Sequence, residues 1–98
     1  MTNQAFWPKV LQAIPLDGYK VCIYFNDGSV RLFDVEPLIE PNTVFEALAD
    51  LEVFRNSLTI LNETVAFDVD GKGDPRKSID LDPFVLFEQP VISDPLVG

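Results

Sequence analysis

The residues best suited to chemistry lie in one glycine-rich stretch, Asp68-Val69-Asp70-Gly71-Lys72-Gly73-Asp74. A calcium loop begins this way, with acidic ligands at positions one and three and a turn glycine at six. The rest departs from that pattern. Position five is Lys72, position eight is Pro75, and position twelve is Ile79 where a bidentate Glu belongs. Lys72, Arg76 and Lys77 also cancel charge that a divalent ion would need. Asp68, Asp70 and Asp74 are therefore weak metal candidates, and an exposed acidic loop over 68–78 is the expected reading. Further acid pairs, Asp80 with Asp82 and Glu36 with Glu40, fall at turns or helix starts, where capping accounts for them. Gly71 and Gly73 lack the strand–loop–helix setting of a phosphate cradle.

The missing residue types exclude more. The chain has no histidine, so Ser-His and Cys-His nucleophilic systems and zinc sites built on Cys and His are excluded. The single cysteine, Cys22, cannot form an internal disulfide and reads as a small half-buried hydrophobe in a strand. A 98-residue chain also has little room for a ligand-sized pocket beside its core. No catalytic residue and no cofactor are expected.

Charge bears on partners. Sixteen acids against seven bases give a net charge of −9, which argues against direct nucleic-acid binding. It favours a basic protein partner, or simply solubility. The first residues carry neither the basic start nor the apolar core of a signal peptide, and no run reaches membrane-spanning length. A cytoplasmic protein with no membrane contact is the expectation.

The elements that would position these residues are organised around Tyr19 to Asp34. Asp27-Gly28 suits a two-residue turn with positive φ at both positions. That turn sets Phe25 opposite Val30 and Ile23 opposite Leu32. Val21, Ile23, Phe25, Val30 and Leu32 then share a core face, with Asp34 at its end as a capping residue. Lys20, Cys22, Tyr24, Arg31 and Phe33 share a mixed face. On that mixed face Tyr24 and Arg31 read as a cross-strand pair and as candidates for an interaction patch. Lys9 to Ile14, bracketed by Pro8 and Pro15, reads as a first strand. Thr43-x-x-Glu46 is a capping box for a main helix over about 43–50, with Val44, Leu48 and Leu51 on its inner stripe. Asp50 suits a cap for a further turn that brings Phe54 into the core. Leu58–Leu61 and Thr64–Phe67 form a second hairpin around Asn62-Glu63, pairing Ile60 with Val65. Asp82 caps a short helix that starts at Pro83 and turns Phe84, Leu86 and Phe87 inward. The tail, 89–98, has no periodicity. It is expected to be disordered or to dock on a neighbouring subunit, with Val91 and Ile92 as its interaction candidates. The whole reads as a single domain, 1–98, with an ordered core of about 8–88. It is α+β: a small, mostly antiparallel sheet of about five strands, with one main helix and short helical turns on one face.

Taken in order, Tyr19 to Phe25, Asp27-Gly28, Arg31 to Asp34, Val44-Phe45 with Leu48 and Asp50, Phe54, and Ile79-Asp80-Leu81-Asp82-Pro83 resemble a bacterial family, domain-of-unknown-function family 2442. The resemblance covers about residues 8–88. Members often carry Trp where Phe67 stands, and Gly71 to Lys77 looks like an insertion. The resemblance implies a small α+β domain in a bacterial cytoplasm and supplies no catalytic residues. Some members are encoded beside another small protein of unknown function, which has prompted suggestions of toxin–antitoxin-like pairs, and some are joined to helix-turn-helix domains. It thus implies binding or regulation. The readings that follow are a non-enzymatic interaction module for a basic protein, a homo-oligomer that pairs through 89–98 and a sheet edge, and a weak divalent-metal binder at 68–74.

Overall fold

In the computed structural model, which describes residues 6–71 and 78–96, the turn after the second strand sets the first sheet. β1 (Val10–Leu16), β2 (Lys20–Phe25) and β3 (Val30–Asp34) run antiparallel in that spatial order. The β2–β3 turn holds three residues, Asn26, Asp27 and Gly28. Gly28 N donates to Phe25 O at 3.0 Å, and Phe25 N donates to Ser29 O at 3.0 Å. Gly28 alone takes positive φ, at 88°. A two-residue turn would force Asp27 into the left-handed region as well, at about 1–2 kcal/mol. Instead the Asp27 carboxylate accepts from Ser29 N at 2.9 Å and from Ser29 Oγ at 2.6 Å. Those bonds hold its carboxyl below its ordinary range.

The extra turn residue shifts the pairing by one from the expected register. Val21 faces Phe33, Ile23 faces Arg31, Cys22 faces Leu32 and Tyr24 faces Val30. Phe33 and Arg31 therefore lie on the core side, while Val30 and Leu32 lie half-buried on the other. Asp34 faces Lys20 and is exposed, not at the end of the core face. Val35, not Asp34, is the N-cap of the 3-10 turn Glu36–Leu38, while the Asp34 carboxylate accepts from Glu36 N at 3.0 Å from one residue earlier. β1 runs past its expected end at Ile14, through Pro15, which an edge strand tolerates. A bulge between Val10 and Gln12 turns Leu11 outward.

The second sheet holds β4 (Leu58–Leu61), β5 (Thr64–Phe67) and β6 (Ile79–Asp80), again antiparallel. The β4–β5 pairing is the expected one, with Leu58 opposite Phe67 and Ile60 opposite Val65. Asn62 and Glu63 take φ of 52° and 64°, so this turn is the tight two-residue kind. Two three-stranded sheets thus stand where one sheet of about five strands was expected. They meet edge to edge through Val10 N, which donates to Glu63 O at 2.9 Å.

The main helix lies later than 43–50. A 3-10 turn covers Glu46–Ala49, and α1 spans Leu51–Ser57. Asp50 caps α1, accepting from Glu52 N at 2.9 Å. The capping-box residues bind elsewhere: Thr43 Oγ1 accepts from Phe45 N at 3.2 Å, and Glu46 accepts from Asn42 N at 3.2 Å. These bonds close a tight turn around Asn42, whose φ is 67°, and Asp50 restarts the chain as a helix. Val44 is consequently 70% exposed, and Leu48 carries the inner contact. The second helix starts where expected, although Phe84 lies exposed. α2 (Pro83–Phe87) is capped by Asp82, which accepts from Phe84 N at 2.9 Å.

The core lies between the sheets and helices and gathers Val10, Val21, Ile23, Phe25, Val35, Leu48, Phe54, Val65, Phe67, Leu81 and Leu86. Phe54 sits at its centre, fully buried, with ring contacts to Tyr19 at 5.5 Å and Phe67 at 5.4 Å. Phe54→Ala is expected to cost about 3–5 kcal/mol, a large share of a total of about 5–15, and urea unfolding reads it directly. Glu63→Gly relieves the positive φ and is expected to raise the urea midpoint by about 0.5–1 kcal/mol of stability. The exposed ion pair it loses, Glu63 with Lys9 at 3.6 Å, subtracts little.

Candidate functional site

The four interaction candidates, Tyr24, Arg31, Val91 and Ile92, come together at the β3 edge. The chain leaves α2 at Phe87 and returns along β3. Leu32 N donates to Pro90 O at 3.1 Å, and Ile92 N donates to Val30 O at 2.8 Å. Arg31 and Val91 form the antiparallel bridge between those two bonds. The described part of the tail, 89–96, docks on its own sheet, where disorder or contact with another subunit was expected. An edge strand exposes a row of backbone donors and acceptors, and this segment covers part of that row.

Tyr24 and Arg31 are not a cross-strand pair on one face. The register places them on opposite faces of the sheet. From the core side, the Arg31 guanidinium stacks over the Phe87 ring, 4.1 Å from its centroid. Its Nη1 donates to Gln89 O at 2.9 Å, and its Nε donates to Ser29 Oγ at 3.2 Å. Stacking and hydrogen bonds are what allow a cation beside Ile23. From the other side, the Tyr24 hydroxyl donates to Asp94 Oδ1 at 2.6 Å. The two residues grip the C-terminal segment at its start and near its end. Burial, then the bond to Asp94 and the neighbouring Cys22, push the Tyr24 hydroxyl above its ordinary value. Burial likewise pushes the Cys22 thiol up, which suits a structural cysteine.

The acidic loop gives a different picture. Asp68 is half-buried and Asp70 exposed, and both line an open hollow of about 230 Å³ with Glu52, Asn56 and Ser57. Asp74 lies outside the described residues. Among those residues no group of three or more His, Cys, Asp or Glu is placed to hold a metal ion. A second open hollow, of about 600 Å³, is lined by Val44, Phe45, Ala47, Val69, Ser78, Ile79 and Asp80. Among the described residues its lining has one carboxylate, Asp80.

Sequence reasoning missed two features. One is the pair Gln89 and Asp94, which anchor the tail. Asp94 could have been found as an acid within reach of a strand tyrosine, but only after the tail was placed. The other is an exposed aromatic group. Trp7, 64% exposed, meets Phe84, 47% exposed, edge to face at 5.5 Å, and Phe6 meets Phe87 at 5.1 Å. Phe84 was expected to turn inward. A single-turn helix cannot bury Phe84 together with Leu86, and Leu86 wins the core. Asn26 fixes the N-terminal segment beneath these rings. Its Nδ2 donates to Trp7 O at 3.2 Å, and its Oδ1 accepts from Lys9 N at 3.0 Å.

No family model matches the chain, and no curated protein or solved structure matches it either.

The native state keeps a proton that the unfolded chain loses near pH 10.0, so Tyr24 contributes its full stability below that pH. The contribution is lost as the pH rises toward the folded value. Tyr24→Phe is expected to have a lower urea midpoint than the parent at neutral pH. The gap is expected to close as the pH is raised above 10.0. A gap that holds constant with pH would disconnect Tyr24 from the tail bond.

Proposed function

We propose that this chain is a non-enzymatic protein-interaction domain whose partner is basic. One observation carries the reading. Between Arg31 and Arg55 the sequence has no Lys or Arg but has six acids: Asp34, Glu36, Glu40, Glu46, Asp50 and Glu52. All six are exposed, and none forms an ion pair among the described residues. Such a surface raises the local concentration of cations and steers a basic protein toward it. The absence of histidine, together with the mostly capping and structural work found for the acids, supports a binding role over a chemical one. The resemblance of residues 8–88 to family 2442 adds regulation to the proposal, with an antitoxin-like pairing as its form and the bacterial cytoplasm as its setting. Among the described residues no helix is long and apolar enough to cross a membrane.

The carboxylates divide into two sets. Asp34, Glu46 and Asp50 accept backbone hydrogen bonds, while the side chains of Glu36, Glu40 and Glu52 make no hydrogen bond among the described residues. A variant with Glu36, Glu40 and Glu52 all changed to Gln is therefore expected to fold like the parent. In pull-downs from native lysate at low salt, the parent is expected to retain one recurring basic protein. That protein is expected to be lost at high salt and absent from the triple variant. Equal retention by parent and variant would sink the acidic-surface reading.

A further inference from the structure

The C-terminal segment is held by a small, self-contained set of bonds. Gln89 still belongs to the end of α2: its N donates to Leu86 O at 3.2 Å and its Nε2 donates to Val85 O at 2.9 Å. From Pro90 onward, the hydrogen bonds to other elements go to β2 and β3 alone among the described residues. They are Leu32 N to Pro90 O, Ile92 N to Val30 O, and Tyr24 hydroxyl to Asp94. The covalent link between α2 and the Arg31–Val91 bridge is three residues, Glu88, Gln89 and Pro90.

We propose that the β3 edge is a strand-accepting site. In the monomer the chain's own residues 90–94 fill it; in a symmetric dimer the same residues of a second copy fill it. This goes beyond the basic-partner reading and does not depend on it. Three observations support the exchange. First, the segment can leave cheaply. It makes two ladder bonds and the Tyr24–Asp94 bond, and Val91 is 62% exposed, so opening breaks few contacts beyond those of half-buried Ile92. α2 stays behind, anchored by buried Leu86. Second, the connection is short and ends in Pro90, whose fixed φ limits how the chain can bend back. Short, restrained hinges favour exchange between copies over closure within one. Third, the sequence shown to fit this edge is the chain's own. Exchange recreates the Pro90, Ile92 and Asp94 bonds between copies, keeps Arg31 with its own chain's Gln89, and leaves no edge group newly unpaired. What opposes it is the translational freedom lost on association, which concentration offsets. When two copies exchange segments reciprocally, the contact closes on itself as a two-fold and does not propagate into fibres.

The test uses the full chain, unfolded in urea and refolded at millimolar concentration. Sedimentation and light scattering are expected to show the mass doubling. In a sample mixing isotope-labelled and unlabelled chains, contacts between the Cα protons of Arg31 and Val91 are expected to appear between copies. This is the close, non-hydrogen-bonded kind of antiparallel pair, so the protons lie near each other. Deleting 90–98 is expected to return the chain to a monomer. So is Ile92→Pro, which removes the donor to Val30 O and leaves α2 intact; circular dichroism checks that each variant is folded. A chain that stays monomeric at millimolar concentration would overturn the proposal. So would a dimer whose Arg31–Val91 contacts stay within one copy, or one that survives in both folded variants.

Discussion

The position of Arg31 depends on how many residues the chain spends turning at Asn26-Asp27-Gly28. A three-residue turn asks for positive φ only at Gly28, where it costs nothing, and the Asp27 carboxylate completes it by gripping Ser29. The rest follows from parity. Strand side chains alternate, so one added residue sends Arg31 to the core side and Leu32 away from it. A guanidinium beside Ile23 needs an aromatic face and an acceptor. Phe87 supplies the first and Gln89 O the second. The turn therefore dictates the placement of α2 and, through Gln89, the point from which the C-terminal segment sets out along β3.

Much of the fold was legible because it was written in short-range chemistry. The second hairpin and the Asp50 and Asp82 caps each depend on residues within a few positions of one another. The β2–β3 register was misread for an instructive reason. Asp-Gly fits two turn lengths, and the hydrophobic pattern favoured the two-residue one because it put Val30 and Leu32 inside. The pattern could not anticipate that Arg31 would be accommodated by residues fifty-odd positions later. The helix over 43–50 failed in a related way. Thr43 and Glu46 have capping chemistry, but it was spent on Asn42 and Phe45 in a tight turn, and the helix began afresh at Asp50.

The candidate site was legible as a set of residues and illegible as a place. Tyr24 and Arg31 stood out as polar aromatics and cations on a strand; Val91 and Ile92 stood out as apolar residues in an aperiodic tail. That they meet depends on an edge that only the full sheet defines, and Gln89 and Asp94 have no distinguishing sequence signal of their own. The acidic loop is the reverse case. Its spacing drew attention immediately, while Asp68 and Asp70 lie in a turn beside the end of α1, where Asp68 N donates to Ser57 O at 2.8 Å.

The placement of Trp7 governs how this protein reports on itself. It is the single tryptophan, largely in water, resting against Phe84 while Asn26 holds its carbonyl. Its fluorescence therefore samples the junction of the N-terminal segment with α2 and not the core around Phe54. An indole already hydrated in the native state has little further to shift in colour when the chain unfolds. Detachment of that junction can alter the emission while both sheets remain intact. A fluorescence transition that precedes the one seen by circular dichroism would then mark a local opening, and would not by itself signify a populated folding intermediate.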